Sequence, residues 1–419
     1  MGISGGNTMA TATDPQRADD GGFRLGQLVN DTRYRSYTFQ FIALLLLILG
    51  FGWLINNAMN NPILAEVGID FGFLTQSAGY DINQQPIPYD NQDSHLRAAV
   101  IGAINTIIVA VLACVTATVF GVFAGVLRLS NNWIVSKLMA IYVEAFRNIP
   151  VLIWIIIIFT VAANTFPAIS EFRIPNDGTD PDRGLLFGMM AATNQGVFVP
   201  RLVFGPGGWV VALVAVLSIA GVVAYRRWAT HKLYSEGREV PVLWPALAIL
   251  VLPTILAYFA LGGPIALEAP EMGRFRFEGG FVLRPSLIAL WFALSIYTGA
   301  FIAENVRAGI LAVSRGQTEA AAALGLRPGR VMSLVVLPQA LRVIIPPLIS
   351  QYLNITKNTS LAIAVGYMDL TGTLGGITLN QTGRAIECIL MLMLFYLTFS
   401  LAISAVMNVY NNAVRLKER

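Results

Sequence analysis

Charge is scarce in this chain of 419 residues, with Asp, Glu, Lys and Arg together making up only 12% of it. That is about half the share found in an ordinary soluble domain, which argues against a solvated globule of this size. Histidine occurs twice, at His95 and His231, too few and too far apart for a metal centre of the H-E-x-x-H kind. No G-x-x-x-x-G-K-[ST] phosphate loop is present, so the chain has no means of hydrolysing ATP by itself. Cysteine is limited to Cys114 and Cys388, both in or beside apolar runs, where they read as small core residues and not as a disulfide framework. The net charge is +4, but Lys and Arg are scattered between apolar blocks and form no patch, which disfavours a nucleic-acid partner.

What the chain does have is apolar length. Hydrophobic residues are 55% of it and the mean hydropathy is +0.64. The apolar residues gather in runs long enough to cross a bilayer as helix. The pattern predicts an all-α membrane protein, a bundle of about eight transmembrane helices at 37–55, 97–127, 138–166, 208–225, 242–263, 285–306, 338–366 and 386–408. An even number puts both termini on one side. With that side taken as the cytoplasm, eighteen Lys and Arg fall in inside segments, eight outside, and only Arg147 and Lys357 within helices, as the positive-inside rule requires. Residues 1–36 then form a polar cytoplasmic tail with no cleavable signal, 37–96 an extra first helix and an acid-rich outer loop, and 411–419 a second cytoplasmic tail. Residues 167–207 mix Pro, Gly and Asn with short apolar pieces and read as a lid or a re-entrant element.

The most informative stretch is Glu319-Ala320-Ala321-Ala322-Ala323-Leu324-Gly325, continued by Arg327-Pro328-Gly329-Arg330 and by Val335, Leu337 and Pro338. Alanines after an acid favour a short helix with the acid at its positive end, Gly325 suits a left-handed stop, and Pro328 suits the start of a second helix. The segment 311–337 therefore reads as a rigid helix-turn-helix outside the membrane. It resembles the cytoplasmic signature of permease subunits of binding-protein-dependent ABC importers: E-A-A, three residues, G, nine residues, I, one residue, L-P. Every fixed position agrees except Val335 for Ile. In that family the loop docks in a groove of the ATPase, so the resemblance implies that Glu319, Ala320, Ala321, Gly325, Leu337 and Pro338 belong to the coupling contact.

Three further segments are similar to polar amino-acid permeases: Tyr142 to Pro150 (Y-V-E-A-F-R-N-I-P), Tyr297 to Ile310, and Leu337 to Arg342 with Pro346-Pro347 and Lys357-Asn358-Thr359-Ser360-Leu361. The family often has Asp after that Lys, where this chain has Asn358. The resemblance implies a five-helix permease core made of the second, third, sixth, seventh and eighth helices, in parts 97–166 and 285–410. An inserted segment and helix pair at 167–284 gives the layout of the long permease of general L-amino-acid transport systems. It further implies a homologous second permease, two copies of an ATPase subunit that hold ATP and Mg, a periplasmic amino-acid-binding protein, the bacterial inner membrane as location, and no cofactor on this chain.

Charges at bilayer depth are costly unless paired or hydrated. Lys357 is therefore a pathway candidate with Asn358, Thr359 and Ser360, against a plain snorkelling or helix-pairing role. Pro346-Pro347 predicts a break in that helix. Glu144 with Arg147 and Glu304 with Arg307 are each three apart, on one helix face, and read as ion pairs that hold a conformation, with a direct gate or substrate contact as the second reading. A secondary transporter or channel driven by an ion gradient is the rival from another class, since a broken helix and an intramembrane Lys would serve it too. A non-transporting scaffold is the third.

Overall fold

The computed structural model describes residues 32–60, 68–173, 184–238 and 240–414. Most of the expected 1–36 tail, part of the acidic outer loops and residues 415–419 lie outside them. The chain divides into two compact units, Met1–Asp70 and Phe71–Arg419. The first contributes one helix, α1 (Thr32–Met59). Its 28 residues reach about 42 Å, and Phe41, Leu46 and Trp53 are among many exposed apolar side chains all round it, the signature of a helix whose solvent is lipid.

The second unit opens with a strap, a 3-10 turn at Gly72–Thr75 and irregular chain to Ser94, whose hydroxyl accepts from the Arg97 amide and caps α2 (His95–Arg128). Asn132 caps α3 (Trp133–Asn148), and α4 (Val151–Thr165) follows after two residues. The apolar block at 138–166, expected as one helix, is thus two, meeting at 106°. The cause is Pro150. A residue before proline is driven out of helical space, and Ile149 sits at φ −107°, ψ 132°.

The inserted segment carries strands that its composition did not announce: β1 (Ala191–Thr193), β2 (Gly196–Val199) and β3 (Arg201–Phe204), then β4 (Ile265–Glu268), β5 (Glu271–Met272), β6 (Phe277–Glu278) and β7 (Phe281–Leu283). Between β3 and β4 stands a helical hairpin, α5 (Gly208–Glu236) and α6 (Leu243–Ala260). Strand β2 pairs antiparallel with both β1 and β7, β3 with β4, and β5 with β6. Helix α5 thus follows directly on β3, and α7 (Pro285–Leu311) directly on β7, which pairs with β2.

After α7 come α8 (Arg315–Ala323), α9 (Pro328–Val331), a π turn at Met332–Val336 and α10 (Leu337–Asn358), which continues as a 3-10 stretch to Val365. A second π stretch, Thr371–Thr378, leads to α11 (Leu379–Thr382) and α12 (Ala385–Val414). The break expected at Pro346-Pro347 is absent, since α10 continues as helix through both prolines. The carbonyls that these prolines leave without a helical donor belong to Arg342 and Val343, which lie with both prolines on the exposed side of α10. Among the described residues seven helices are long and apolar enough to cross a membrane, or eight with α3 and α4 taken as one bent span.

The core lies along α7, where Leu290, Ala293, Leu294 and Ile302 are fully buried against Val109, Ala113 and Ala117 of α2, Ile155 of α4 and Ile355 of α10. The α2–α7 seam is built for close approach. A Cβ added at Gly121 would lie 2.5 Å from Ile302 Cβ, and one at Gly125 2.6 Å from the Ala303 carbonyl. Small residues at a helix crossing let backbones nearly touch, which is how helices associate where lipid offers no hydrophobic drive.

Candidate functional site

The segment below α7 is a helix-turn-helix knob. Helix α8 starts at Arg315, so Glu319 stands in its second turn and not at its positive end, as alanine content alone suggested. Gly325 ends it at φ +78°. The Leu326 amide donates to the Ala321 carbonyl at 3.3 Å and the Gly325 amide to that of Ala322 at 2.9 Å, a Schellman stop. Nothing lies within 4 Å of a Cβ placed on Gly325, so its requirement is the left-handed backbone and not space. Arg327 is extended and Pro328 begins α9. Ala321, Val331 and Val336 form the buried centre of the knob, with Ile310, Val313, Leu326 and Val335 around them. Ala321 is therefore inside the knob, while Glu319, Ala320, Gly325, Leu337 and Pro338 are exposed. Leu324, 83% exposed, presents an apolar tip that the sequence did not single out.

One turn and a half before the end of α7 lies an ion cluster. Arg307 Nη2 donates to Glu304 Oε1 at 2.6 Å, the pair expected from spacing. The other expected pair does not form. Glu144 faces Arg128 Nη2 at 4.0 Å and accepts from Asn148 Nδ2 at 3.2 Å, while the Arg147 guanidinium lies over the Phe301 ring, 5.3 Å from its centroid. Arg128 of α2 is the residue the sequence missed, and it forms the shortest ion pair of the cluster, to Glu304 Oε2. Spacing along one helix cannot reveal a partner 176 positions away. Helix α3 is fastened beside the cluster by Ser136 Oγ donating to the Arg128 carbonyl at 2.8 Å and Tyr142 Oη donating to the Ile296 carbonyl at 2.7 Å.

At the far end of α10 the pathway candidates separate. Thr359 is fully buried and its hydroxyl donates to the Thr356 carbonyl at 2.7 Å, while Ser360 Oγ donates to the Lys357 carbonyl at 2.8 Å. Both hydroxyls serve the helix end. Asn358 is half-buried, and Lys357 is exposed with no acid or acceptor paired to it among the described residues.

Beyond this end lies a polar network that the sequence reading overlooked. Asn105 Nδ2, in the middle of an apolar helix, donates at 2.9 Å to the carbonyls of both Gln84 and Met368. Tyr367 Oη donates to the Asn105 carbonyl at 3.2 Å, and Thr106 Oγ1 accepts from the Leu370 amide at 3.1 Å. Asp369, fully buried, accepts from the Gly372 amide at 2.8 Å and from Tyr396 Oη at 3.2 Å. It lies between two spanning segments, and burial pushes its carboxyl up to about 7. The signal available in the sequence was the presence of Asn and Asp inside apolar surroundings, where each must be satisfied locally.

Comparison with known proteins matches residues 234–416 to the family described as "Binding-protein-dependent transport system inner membrane component". Across nearly its full length the chain is 50% identical to the "Glutamate/glutamine/aspartate/asparagine transport system permease protein BztB" of Rhodobacter capsulatus, covering 98% of this chain and 100% of that one. It is 39% identical to the "General L-amino acid transport system permease protein AapQ" of Rhizobium johnstonii, over 98% and 99%. It is 40% identical to the "Putative amino-acid ABC transporter permease protein YhdX" of Escherichia coli, over 92% and 95%.

Proposed function

The chain belongs to the amino-acid permeases of binding-protein-dependent ABC importers, and from that premise we propose that it imports polar L-amino acids, the acidic ones and their amides first, as one half of a permease pair. It is a multi-pass inner-membrane transporter subunit and not a catalytic enzyme. Its partners in this reading are a homologous permease, two ATPase subunits carrying ATP and Mg, and a periplasmic binding protein that delivers the amino acid. The knob at 311–337 and both termini face the cytoplasm.

The observation that carries the reading is the knob itself. A rigid, exposed helix-turn-helix hangs directly from α7 and α10, two helices of one buried core. Force applied at Glu319, Ala320 and Leu324 has no path into the bilayer except through those two helices. ATPase closure would thus shift the population between outward-open and inward-open packings, with the Arg128–Glu304–Arg307 cluster tying α2 to α7 next to the knob. Lys357 supports the pair. A cation exposed on this chain near bilayer depth cannot face hydrocarbon without a cost of several kcal/mol, so its surroundings are the second permease or the aqueous path, where it complements an acidic substrate. The ion-gradient reading loses its helix break, because α10 is continuous through Pro346-Pro347.

The test is reconstitution with the ATPase, second permease and binding protein, comparing ATP-driven glutamate and glutamine uptake for wild type, Glu319→Lys and Gly325→Asp. Normal assembly with uncoupled ATPase and lost uptake is expected. Unchanged uptake, or uptake abolished by collapsing the ion gradient while ATP stays high, would overturn the proposal.

A further inference from the structure

The α5–α6 hairpin is unequal. Helix α5 has 29 residues and α6 18, about 43 Å and 27 Å. A hydrocarbon core of about 30 Å takes all of α6 but leaves about the last two and a half turns of α5 outside it. Those turns change character abruptly. The apolar run ends at Ala224, and Tyr225-Arg226-Arg227-Trp228-Ala229-Thr230-His231-Lys232-Leu233-Tyr234 follows. Helices α5, α6 and α7 are three successive candidate spans, so by their order the end of α5 falls on the same side of the bilayer as the end of α7, from which the knob hangs.

Over residues 226–240 there are four cations and two acids. Glu236 is taken by Lys232, 3.8 Å away, whose ammonium also sits over the Trp228 ring at 5.0 Å. Glu239 lies outside the described residues. Arg226, Arg227 and Arg238 are exposed and have no partner among the described residues. Around them stand rings suited to the interface between hydrocarbon and headgroups: Trp228 and Tyr225 with centroids 5.6 Å apart, Tyr234 at 85% exposure, and Trp244 at 75% in the first turn of α6. Tyr225 Oη donates to the Pro241 carbonyl at 2.9 Å and closes the inner turn of the hairpin. The surface is continuous with a lipid-facing one, since Leu213, Val216, Leu217 and Val223 of α5 and Leu252 and Leu256 of α6 are all exposed.

We propose that the inner end of this hairpin is a binding site for anionic phospholipid, with the guanidinium groups of Arg226 and Arg227 on the phosphodiester of a phosphatidylglycerol-type headgroup, Arg238 about 15 Å further along adding its charge at the outer edge of the headgroup layer, and Trp228 and Trp244 at the level of the glycerol. Arginine presents a planar fork of donors that matches phosphate oxygens two at a time. The occupant is a lipid and not a soluble phosphate, because the three cations stand at the end of an apolar hairpin that already lies in acyl chains. Each basic residue near an anionic surface contributes about fivefold in binding, so the three together contribute on the order of a hundredfold.

The experiment uses the assembled importer in nanodiscs of phosphatidylcholine, alone or mixed with phosphatidylglycerol, with wild type, the triple variant R226Q/R227Q/R238Q and the outer-face control R274Q/R276Q. Native mass spectrometry counts retained phosphatidylglycerol, and melting follows the stabilisation it confers. Expected are retained lipid and a raised melting temperature for wild type and the control, and loss of both in the triple variant on the order of a hundredfold in affinity. The proposal is overturned if the triple variant retains the lipid, or if soluble glycerol phosphate gives the same stabilisation as the lipid. It is also overturned if the variant fails to hold the ATPase in discs without anionic lipid, which would make the patch a protein contact. Lipid retention is read without transport, so its failure is distinguishable from failure of the importer reading.

Discussion

The Arg128–Glu304–Arg307 cluster allows a prediction that spacing along the sequence would get backwards. Glu304 holds two cations, one on its own helix three residues on, one from α2. An i,i+3 pair within a helix contributes about 0.3–0.5 kcal/mol, because the helix forms without it. Breaking a fully buried pair between elements costs about 3–5 kcal/mol. The Arg128 and Glu304 side chains keep 17% and 23% of their exposure, so screening lowers that to about 1.5–3 kcal/mol. Arg128→Gln should therefore destabilise several times more than Arg307→Gln. Glu304→Gln should cost most, since it leaves two guanidinium groups facing each other. In a double-mutant cycle, R128Q and E304Q should couple by about 1–2 kcal/mol, from unfolding of the purified subunit in mixed micelles titrated with SDS. If Arg307→Gln proves the costlier, or if R128Q and E304Q add without coupling, the cluster is not a tie between helices and its assignment fails.

Two further outcomes follow from packing and burial. Gly121→Ala pushes a methyl to 2.5 Å from Ile302 on the α2–α7 seam, whereas Gly50→Ala in α1 meets nothing within 4 Å. The first should cost about 1–3 kcal/mol as overpacking, the second should gain up to about 1 kcal/mol of helix propensity, both read as melting shifts, and equal effects would refute the seam. Asp369→Asn should remove a pH dependence. Its carboxyl is raised from 3.8 to about 7, so the folded chain holds a proton that the unfolded chain has lost, and stability falls as pH rises between those values and is level above them. The wild-type melting temperature should drop across that window relative to the variant, and parallel pH profiles would contradict the burial argument.

The spanning helices were legible because lipid demands apolar length, and length survives in any sequence. The knob was legible because Gly325 and Pro328 act on the backbone locally, one through a left-handed φ, the other through a fixed one. Two proline effects were misjudged in opposite directions. Pro150 breaks a helix that hydropathy alone joins, because it expels Ile149 from helical space, yet α10 continues through Pro346-Pro347, where the carbonyls left without a donor, those of Arg342 and Val343, lie on its exposed side. The strands are two to four residues long, too short for alternation to rise above the surrounding composition. Arg128, Asn105 and Asp369 act through partners far away in sequence, and only packing brings those together.

These features also say where the transporter can bend. The α2–α7 seam has no room to slide, since even a methyl at Gly121 or Gly125 would collide, so those two helices move as one body and carry the ion cluster with them. Compliance lies where the regular ladder is interrupted: the Ile149–Pro150 corner and the π turns at Met332–Val336 and Thr371–Thr378. In the proposed function a push on the knob then turns α10 against the α2–α7 pair and leaves the pair intact. In a variant with Cys114 and Cys388 replaced by Ala, a cross-link between cysteines at Thr116 and Ser295, whose hydroxyls are 2.5 Å apart across the seam, should leave ATP-driven uptake near the uncross-linked level. A cross-link between cysteines at Thr118 and Tyr352, whose hydroxyl oxygens are 2.8 Å apart between α2 and α10, made with a short bifunctional maleimide to span the length of the lost tyrosine ring, should stop it. If the seam cross-link is the one that blocks uptake, the stroke passes between α2 and α7, and the rigid-pair account is wrong.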